Sequence, residues 1–165
     1  MTAAELEREV LDLLVGLGIA YIRHVHPPVF TVEEADRHWS GIGGCHCKNI
    51  FLRNKKGSRH YLVVLAHHKT LDIQNLALSL REDRLSFASA ERLQKYLGLE
   101  AGSVSPFGLI HDANRDVQVV IDSDLRRCDR INFHPNVNTA TVTISFVDFE
   151  KFLTHCRNQT IDLPL

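Results

Sequence analysis

Near the start of the chain, Leu6, Val10, Leu13, Leu14 and Leu17 recur at the spacing of one helix face, and Gly18 closes the stretch. Thr2 followed by Glu5 is a capping-box pattern that opens this amphipathic first helix. Ile19 to Val25 reads as a short strand, broken by His26-Pro27-Pro28, whose prolines cannot donate to a ladder. Thr31 with Glu34 caps a short second helix. The period then changes to two. Strands are predicted over Cys47 to Arg53 and His60 to Ala66, joined by Asn54-Lys55-Lys56-Gly57-Ser58, a hairpin turn in which glycine supplies a positive φ. Leu71 to Leu80 and Ala90 to Leu97, the latter stopped by Gly98, read as helices that cover a sheet face. A loop at Gly102 to Pro106 leads through Leu109-Ile110 to a strand over Val117 to Ile121. Arg130 to His134 and the β-branched run Thr139 to Ser145 give two more strands, and Ser145 with Asp148 caps a last helix through His155.

This order predicts an α+β fold: one domain over residues 1–165, with a mixed, largely antiparallel sheet flanked by helices. A chain of 165 residues, 44% hydrophobic, is long enough to bury a sizeable core without staples. No apolar run reaches bilayer length, and the acidic start Met-Thr-Ala-Ala-Glu-Leu-Glu is unlike a basic leader, so a soluble, cytoplasmic protein with no membrane partner is expected. The four cysteines, Cys45, Cys47, Cys128 and Cys156, show no disulfide framework, and reduced thiols are the expectation. A net charge of -1 argues against broad, sequence-independent binding to duplex nucleic acid and leaves room only for local contacts.

Candidate chemistry begins at Cys47-Lys48-Asn49-Ile50-Phe51, where a lysine and an asparagine interrupt an apolar strand. Alternation puts Lys48, Ile50 and Leu52 on one face and Cys47, Asn49, Phe51 and Arg53 on the other, so Lys48 shares a face with core residues. A lysine so placed either snorkels to water or serves an anionic or carbonyl partner. Gly102-Ser103-Val104-Ser105-Pro106 is either an ordinary loop or a set of amides able to face an oxyanion. His134 stands where a strand ends at Pro135, suited equally to a structural bond and to a cleft; Asn138 and Thr139 add neutral donors and acceptors or plain turn chemistry. Cys45-His46-Cys47, with His24, His26, His67 and His68, lacks the separated ligand pairs of a structural zinc site. A thiol nucleophile paired with His134 lacks a third, orienting residue. Arg53, Lys55, Lys56 and Arg59 crowd the hairpin turn, either as solvated surface or as contacts for nucleic-acid phosphates.

Four blocks in order, His26-Pro27-Pro28-Val29-Phe30-Thr31-Val32-Glu33-Glu34-Ala35, Cys47-Lys48-Asn49-Ile50-Phe51-Leu52-Arg53, Gly102-Ser103-Val104-Ser105-Pro106-Phe107 and Asn132-Phe133-His134-Pro135 with Asn138-Thr139-Ala140-Thr141, resemble the prolyl-tRNA editing family (YbaK/ProX). The closest likeness is to its free-standing, alanyl-specific deacylase branch, and it spans nearly the whole chain. The resemblance implies hydrolysis of the ester that links a wrong amino acid, alanine above all, to the 3′ end of tRNA(Pro). Water is the implied nucleophile, assisted by the terminal ribose hydroxyl, with no metal and no cofactor. It maps the family lysine to Lys48, the loop glycine and proline to Gly102 and Pro106, and the family histidine to His134. The expected substrate contacts are Asn49, Ile50, Phe51, Ser103, Pro106, Phe133, Asn138 and Thr139, with Arg53, Lys55, Lys56 and Arg59 toward the tRNA. Implied partners are the tRNA(Pro) acceptor end and, transiently, prolyl-tRNA synthetase or an elongation factor. Two departures stand out: Asn136 where an apolar residue is expected, and the thiol-rich Cys45-His46-Cys47. A deacylase for cysteinyl- or seryl-tRNA and a non-catalytic module that binds the tRNA acceptor end or a synthetase are the alternatives.

Overall fold

The computed structural model describes residues 1–165, the side chain of Val32 excepted. In chain order the elements are α1 (Ala3–Gly16), β1 (Ile22–Val25), α2 (Val32–Trp39), β2 (Cys45–Asn54), β3 (His60–Ala66), α3 (Ile73–Ser79), β4 (Leu85–Phe87), α4 (Ala90–Leu97), β5 (Val117–Asp122), β6 (Arg130–Phe133), β7 (Ala140–Ser145), α5 (Phe146–Cys156) and β8 (Thr160–Leu163). The caps form as the sequence requires. Thr2 and Glu5 exchange both capping-box bonds, Thr31 Oγ1 accepts from the Glu34 amide, and Ser145 Oγ accepts from the Asp148 amide. Gly98 ends α4 in the left-handed region at φ 64°, a conformation that disfavours a side chain.

The strands run β1-β7-β6-β2-β3-β5-β8 across the sheet, with β4 added beside β2. Pairings β1–β7, β2–β3, β2–β4 and β6–β7 are antiparallel, whereas β2–β6, β3–β5 and β5–β8 are parallel, so the mixed, mainly antiparallel sheet is as expected. One face packs Cys47, Phe51, Leu62, Val64, Val142 and Ile144 against Val10 and Leu14 of α1, Leu93 and Leu97 of α4, and Phe149 and Phe152 of α5. On the other, Leu52, Tyr61, Val63 and Leu65 meet Leu76 and Ala77 of α3. Burial of these aliphatic and aromatic groups is the main favourable contribution to folding.

Strands β4 and β8 are absent from the sequence reading because three and four residues are too few for alternation to register. Leu109-Ile110 lies within a 3₁₀ turn, Pro106–His111, opened by proline at its first position. The expectation of reduced thiols is corrected at one pair: Cys45 and Cys128 form a disulfide, while Cys47 and Cys156 are free. Their separation of 83 residues hid the pairing, since only the parallel contact of β2 with β6 brings the two segments together. Among the described residues, no helix is long and apolar enough to cross a membrane.

A cross-link over 83 residues removes much loop entropy from the unfolded chain. Replacing Cys45 and Cys128 together by serine is expected to remove about 3 kcal/mol of stability and to lower Tm by roughly 6–12 °C. Calorimetry of the variant beside the oxidised and reduced parent measures this; an unchanged Tm in both would show that the bridge does not constrain the unfolded chain.

Candidate functional site

Strand β2 changes partners along its length. Cys45 and His46 pair in parallel with Ile131 and Asn132 of β6, and from Leu52 to Asn54 the same edge pairs with β4. Between them β2 and β6 part, and Lys48 and Asn49 stand at the opening. Backbone groups of alternate residues face alternate edges of a strand. The His46 carbonyl accepts from the His67 amide on the β3 side, and the Phe51 carbonyl accepts from the Ala88 amide on the other. Parity therefore turns the N–H and C=O of Asn49 into the gap.

Lys48, opposite Leu65 in the ladder, is half-buried and shares its face with Ile50 and Leu52, as expected from alternation. Asn49 points the other way, where its Nδ2 donates to the Val104 carbonyl at 3.1 Å and ties the 102–106 loop to β2. Its Oδ1 is buried without a hydrogen-bond partner. In that loop Gly102 is exposed at φ 92°, with open space where a Cβ would stand, and the Ser103 amide donates to the Glu100 carbonyl. Ser105 Oγ accepts from the Phe107 amide, and Pro106 is buried at the start of the 3₁₀ turn. His134 follows β6 one step beyond its ladder with β7, opposite Thr141 by register. Its Nδ1 donates to the Ala140 carbonyl at 2.8 Å, which leaves Nε2 as the acceptor nitrogen. Burial holds the His134 pKa below the usual histidine value, against the Ala140 bond that raises it.

The alternation of Thr141-Val142-Thr143-Ile144 carries more than a strand signal. On the face beneath α2, Thr143, Asn132 and His46 lie in one row across β7, β6 and β2. Thr143 Oγ1 donates to Asn132 Oδ1, while Asn132 Nδ2 reaches the Gly43 carbonyl at 2.9 Å and His46 Nδ1 at 3.2 Å. Trp39 of α2 stacks on His46 with centroids 4.6 Å apart and planes 2° from parallel, and its edge meets His67. Burial lowers the His46 pKa. The signal for this layer, polar residues at every second position of β6 and β7, was present in the sequence, but no local pattern said that the strands were neighbours.

The remaining expected residues are spread over both sheet faces and two turns. The Phe51 and Phe133 rings are in the core on the face opposite Ile50, Phe133 packing against Phe107 and Phe149 and Phe51 against His60, so the three cannot line one wall. Asn138 and Thr139 are half-buried in the turn before β7. Asn136 is buried at φ 61° with neither side-chain polar atom bonded. Arg59 pairs with the buried Glu82 carboxylate, which also accepts from the Tyr61 hydroxyl, and Arg53 donates to the Asn54 and Lys55 carbonyls. Lys55 and Lys56 are exposed in the turn, roughly 20 Å along the strand from Lys48 at the rise per residue of a β-strand. Cys45 is bridged, and burial pushes the Cys47 thiol up, so neither offers a ready thiolate.

His60, behind Phe51, accepts from Arg92 through Nε2 and packs on Tyr96; burial first, then Arg92, hold its pKa down to about 4. The unfolded chain therefore binds more protons than the folded one between about 4 and the ordinary value of 6.5. His46 and His134 act in the same direction. Stability is expected to be full above pH 6.5 and to fall as the pH drops toward 4. Thermal melts across this range check it, and His60→Gln should flatten the slope; an equal slope in the variant would exclude His60 as a source.

Comparison with known proteins places these features in a family context. Residues 26–152 match the family model described as an aminoacyl-tRNA editing domain. The chain is 41% identical over 147 residues, 89% of its length and 90% of the relative's, to the prolyl-tRNA editing protein ProX of Acetoanaerobium sticklandii. It is 36% identical over 155 residues, 92% of both chains, to the prolyl-tRNA synthetase associated domain-containing protein 1 of Xenopus laevis. A crystal structure of a protein provisionally described as a trans-editing enzyme for prolyl-tRNA synthetase superposes with a TM-score of 0.71 at 20% identity, covering 99% of this chain and 98% of that one; it supports the fold.

Proposed function

The chain belongs to the aminoacyl-tRNA editing family, and from that premise we propose that it is a trans-editing deacylase that hydrolyses the ester of mischarged alanyl-tRNA(Pro). One observation carries the reading: where β2 and β6 part, Lys48 and His134 lie on the same sheet face beside the gap, and Asn49 ties the 102–106 loop to β2 from the opposite face.

In the proposed reaction, water adds to the ester carbonyl carbon. The tetrahedral oxyanion then collapses, the bond to the terminal ribose oxygen breaks, and alanine and tRNA(Pro) leave. Negative charge develops on the former carbonyl oxygen, so fixed donors contribute more than a strong base. The Lys48 ammonium and the exposed Gly102 amide are assigned to that charge. His134 Nε2, an acceptor in the neutral ring, is assigned to orient the attacking water or the substrate amine. The ribose hydroxyl next to the ester is assigned as a relay that takes the water's proton and passes its own to the departing ribose oxygen, consistent with the lack of a ready thiolate at Cys47. No cofactor is assigned. Asn49, Ser103 and Pro106 are assigned to the loop side of the opening, and Asn138 and Thr139 to substrate contacts at its edge.

A synthetase pocket built for proline cannot strongly reject the smaller alanine through lost contacts alone. A second site too small for proline supplies the missing discrimination, and Ile50, on the Lys48 face, is assigned to its wall. Lys55 and Lys56 are assigned to backbone phosphates, with Arg53 beside them and Arg59 held back by Glu82. The tRNA(Pro) acceptor end is the macromolecular partner in this reading.

Purified protein is expected to release alanine from Ala-tRNA(Pro) quickly, to spare Pro-tRNA(Pro), and to do so in the presence of a chelator. Lys48→Ala should abolish release while keeping the melting transition, since the side chain is only half-buried. His134→Ala should cost less, on the order of tenfold to a hundredfold. Unchanged turnover in Lys48→Ala would sink the assignment. Release of cysteine or serine in place of alanine would move the substrate within the same reaction, and no release from any substrate would favour a tRNA-binding module.

A further inference from the structure

Thr141 is 1% exposed and is the second residue of β7. Its hydroxyl is 2.9 Å from His26 Nε2 and 3.2 Å from Trp39 Nε1. The direction of every bond follows from chemistry. His26 Nδ1 lies 2.9 Å from the Pro27 carbonyl, which can only accept, so Nδ1 carries the proton and Nε2 offers a lone pair. Thr141 must therefore donate to His26 and accept from the Trp39 indole. A single hydroxyl thus holds α2, through Trp39, and the His26-Pro27-Pro28 turn. The His26 backbone adds a bond from its amide to the Thr139 carbonyl.

The two clamped rings flank the third. The His26 and His134 centroids are 5.9 Å apart and those of Trp39 and His134 6.3 Å, while Ala140, next to Thr141, supplies the carbonyl that fixes His134 Nδ1. Trp39 also lies flat on His46, two residues before Lys48 on the same face of β2. We infer that Thr141 is a positioning residue for the proposed deacylation: its hydroxyl locks α2 and the His26 turn against His134 and so fixes the wall of the opening beside Lys48. The inference rests on the reading of the site as a deacylase. Losing the hydroxyl leaves an indole N–H and an imidazole nitrogen without their buried partner, and the helix that carries Trp39 shifts to find others.

Two substitutions separate this role from packing. Thr141→Val keeps the shape and removes the hydroxyl, whereas Thr141→Ser keeps the hydroxyl and removes a buried methyl. Trp39 is the only tryptophan in the chain, so its emission reports the clamp directly. In Thr141→Val, kcat/KM on Ala-tRNA(Pro) is expected to fall at least about tenfold, as small misplacements in an active site do, and Trp39 emission to shift to longer wavelength. Thr141→Ser should recover most of the rate and the parental emission, even if it melts lower. Should Thr141→Val not fold, Trp39→Phe, which keeps a ring on His46 and removes the indole donor together with part of the ring surface, is expected to show the same loss of kcat/KM. Parental rate and emission in Thr141→Val, or equal defects in the valine and serine variants, would overturn the clamp; for Trp39→Phe, a parental rate would do so. A parent protein that deacylates nothing would instead overturn the activity on which the inference rests.

Discussion

A β-strand has two edges, and β2 uses one of them for two partners that do not meet. It leaves β6 after His46 and takes up β4 only at Leu52. The peptide groups between these points have no neighbouring strand on that edge, and an unpaired edge inside a sheet is costly unless something else bonds to it. The candidate site depends on this interruption. The 102–106 loop comes to β2 through Asn49, and His134 directly follows the last residue of β6. The other edge of β2 is fully engaged by β3 from Cys47 to Arg53, so the strand stays rigid while one side is left open.

Beneath α2 the sheet is polar where it would otherwise be core. Asn132, Thr141 and Thr143 are at most 4% exposed, and each finds a partner within a connected set of hydroxyls, amides and imidazoles. Such a layer gives directional bonds in place of some apolar packing, and so fixes where rings stand rather than how much surface is buried. Rings held this way suit a site that acts by orientation and charge stabilisation. The buried, unpaired groups of Asn49 and Asn136 belong to residues three and four positions beyond the paired His46 and Asn132.

The junction itself is held several times over. The Cys45–Cys128 disulfide, the Asn132 bond to the Gly43 carbonyl, and the close approach of Gly44 to Arg130, where a Cβ would meet backbone at 3.1 Å, all act within a few residues. A gap that must open reproducibly a few residues later needs a fixed starting point. Gly44 is needed both for its φ of 87° and for this contact.

Helix ends, the hairpin and most strands were legible in the sequence because each is fixed by neighbours within a few positions: Thr2 with Glu5, Ser145 with Asp148, Gly57 in its turn, and the alternation of β2 and β3. The α+β class follows from their order. Lys48 was legible as an odd residue in an apolar strand, and Gly102 and His134 as loop and strand-end positions, though only the family likeness joined them. What tertiary structure alone decided is which segments meet: the parallel pairing of β2 with β6, the disulfide across 83 residues, the Thr141 clamp across more than a hundred positions, and the burial of Phe51 and Phe133 on the face opposite Ile50. Local patterns record the period of a segment and its caps. They carry no term for a partner strand far away, and a site made where two such strands part has no signature until they are brought together.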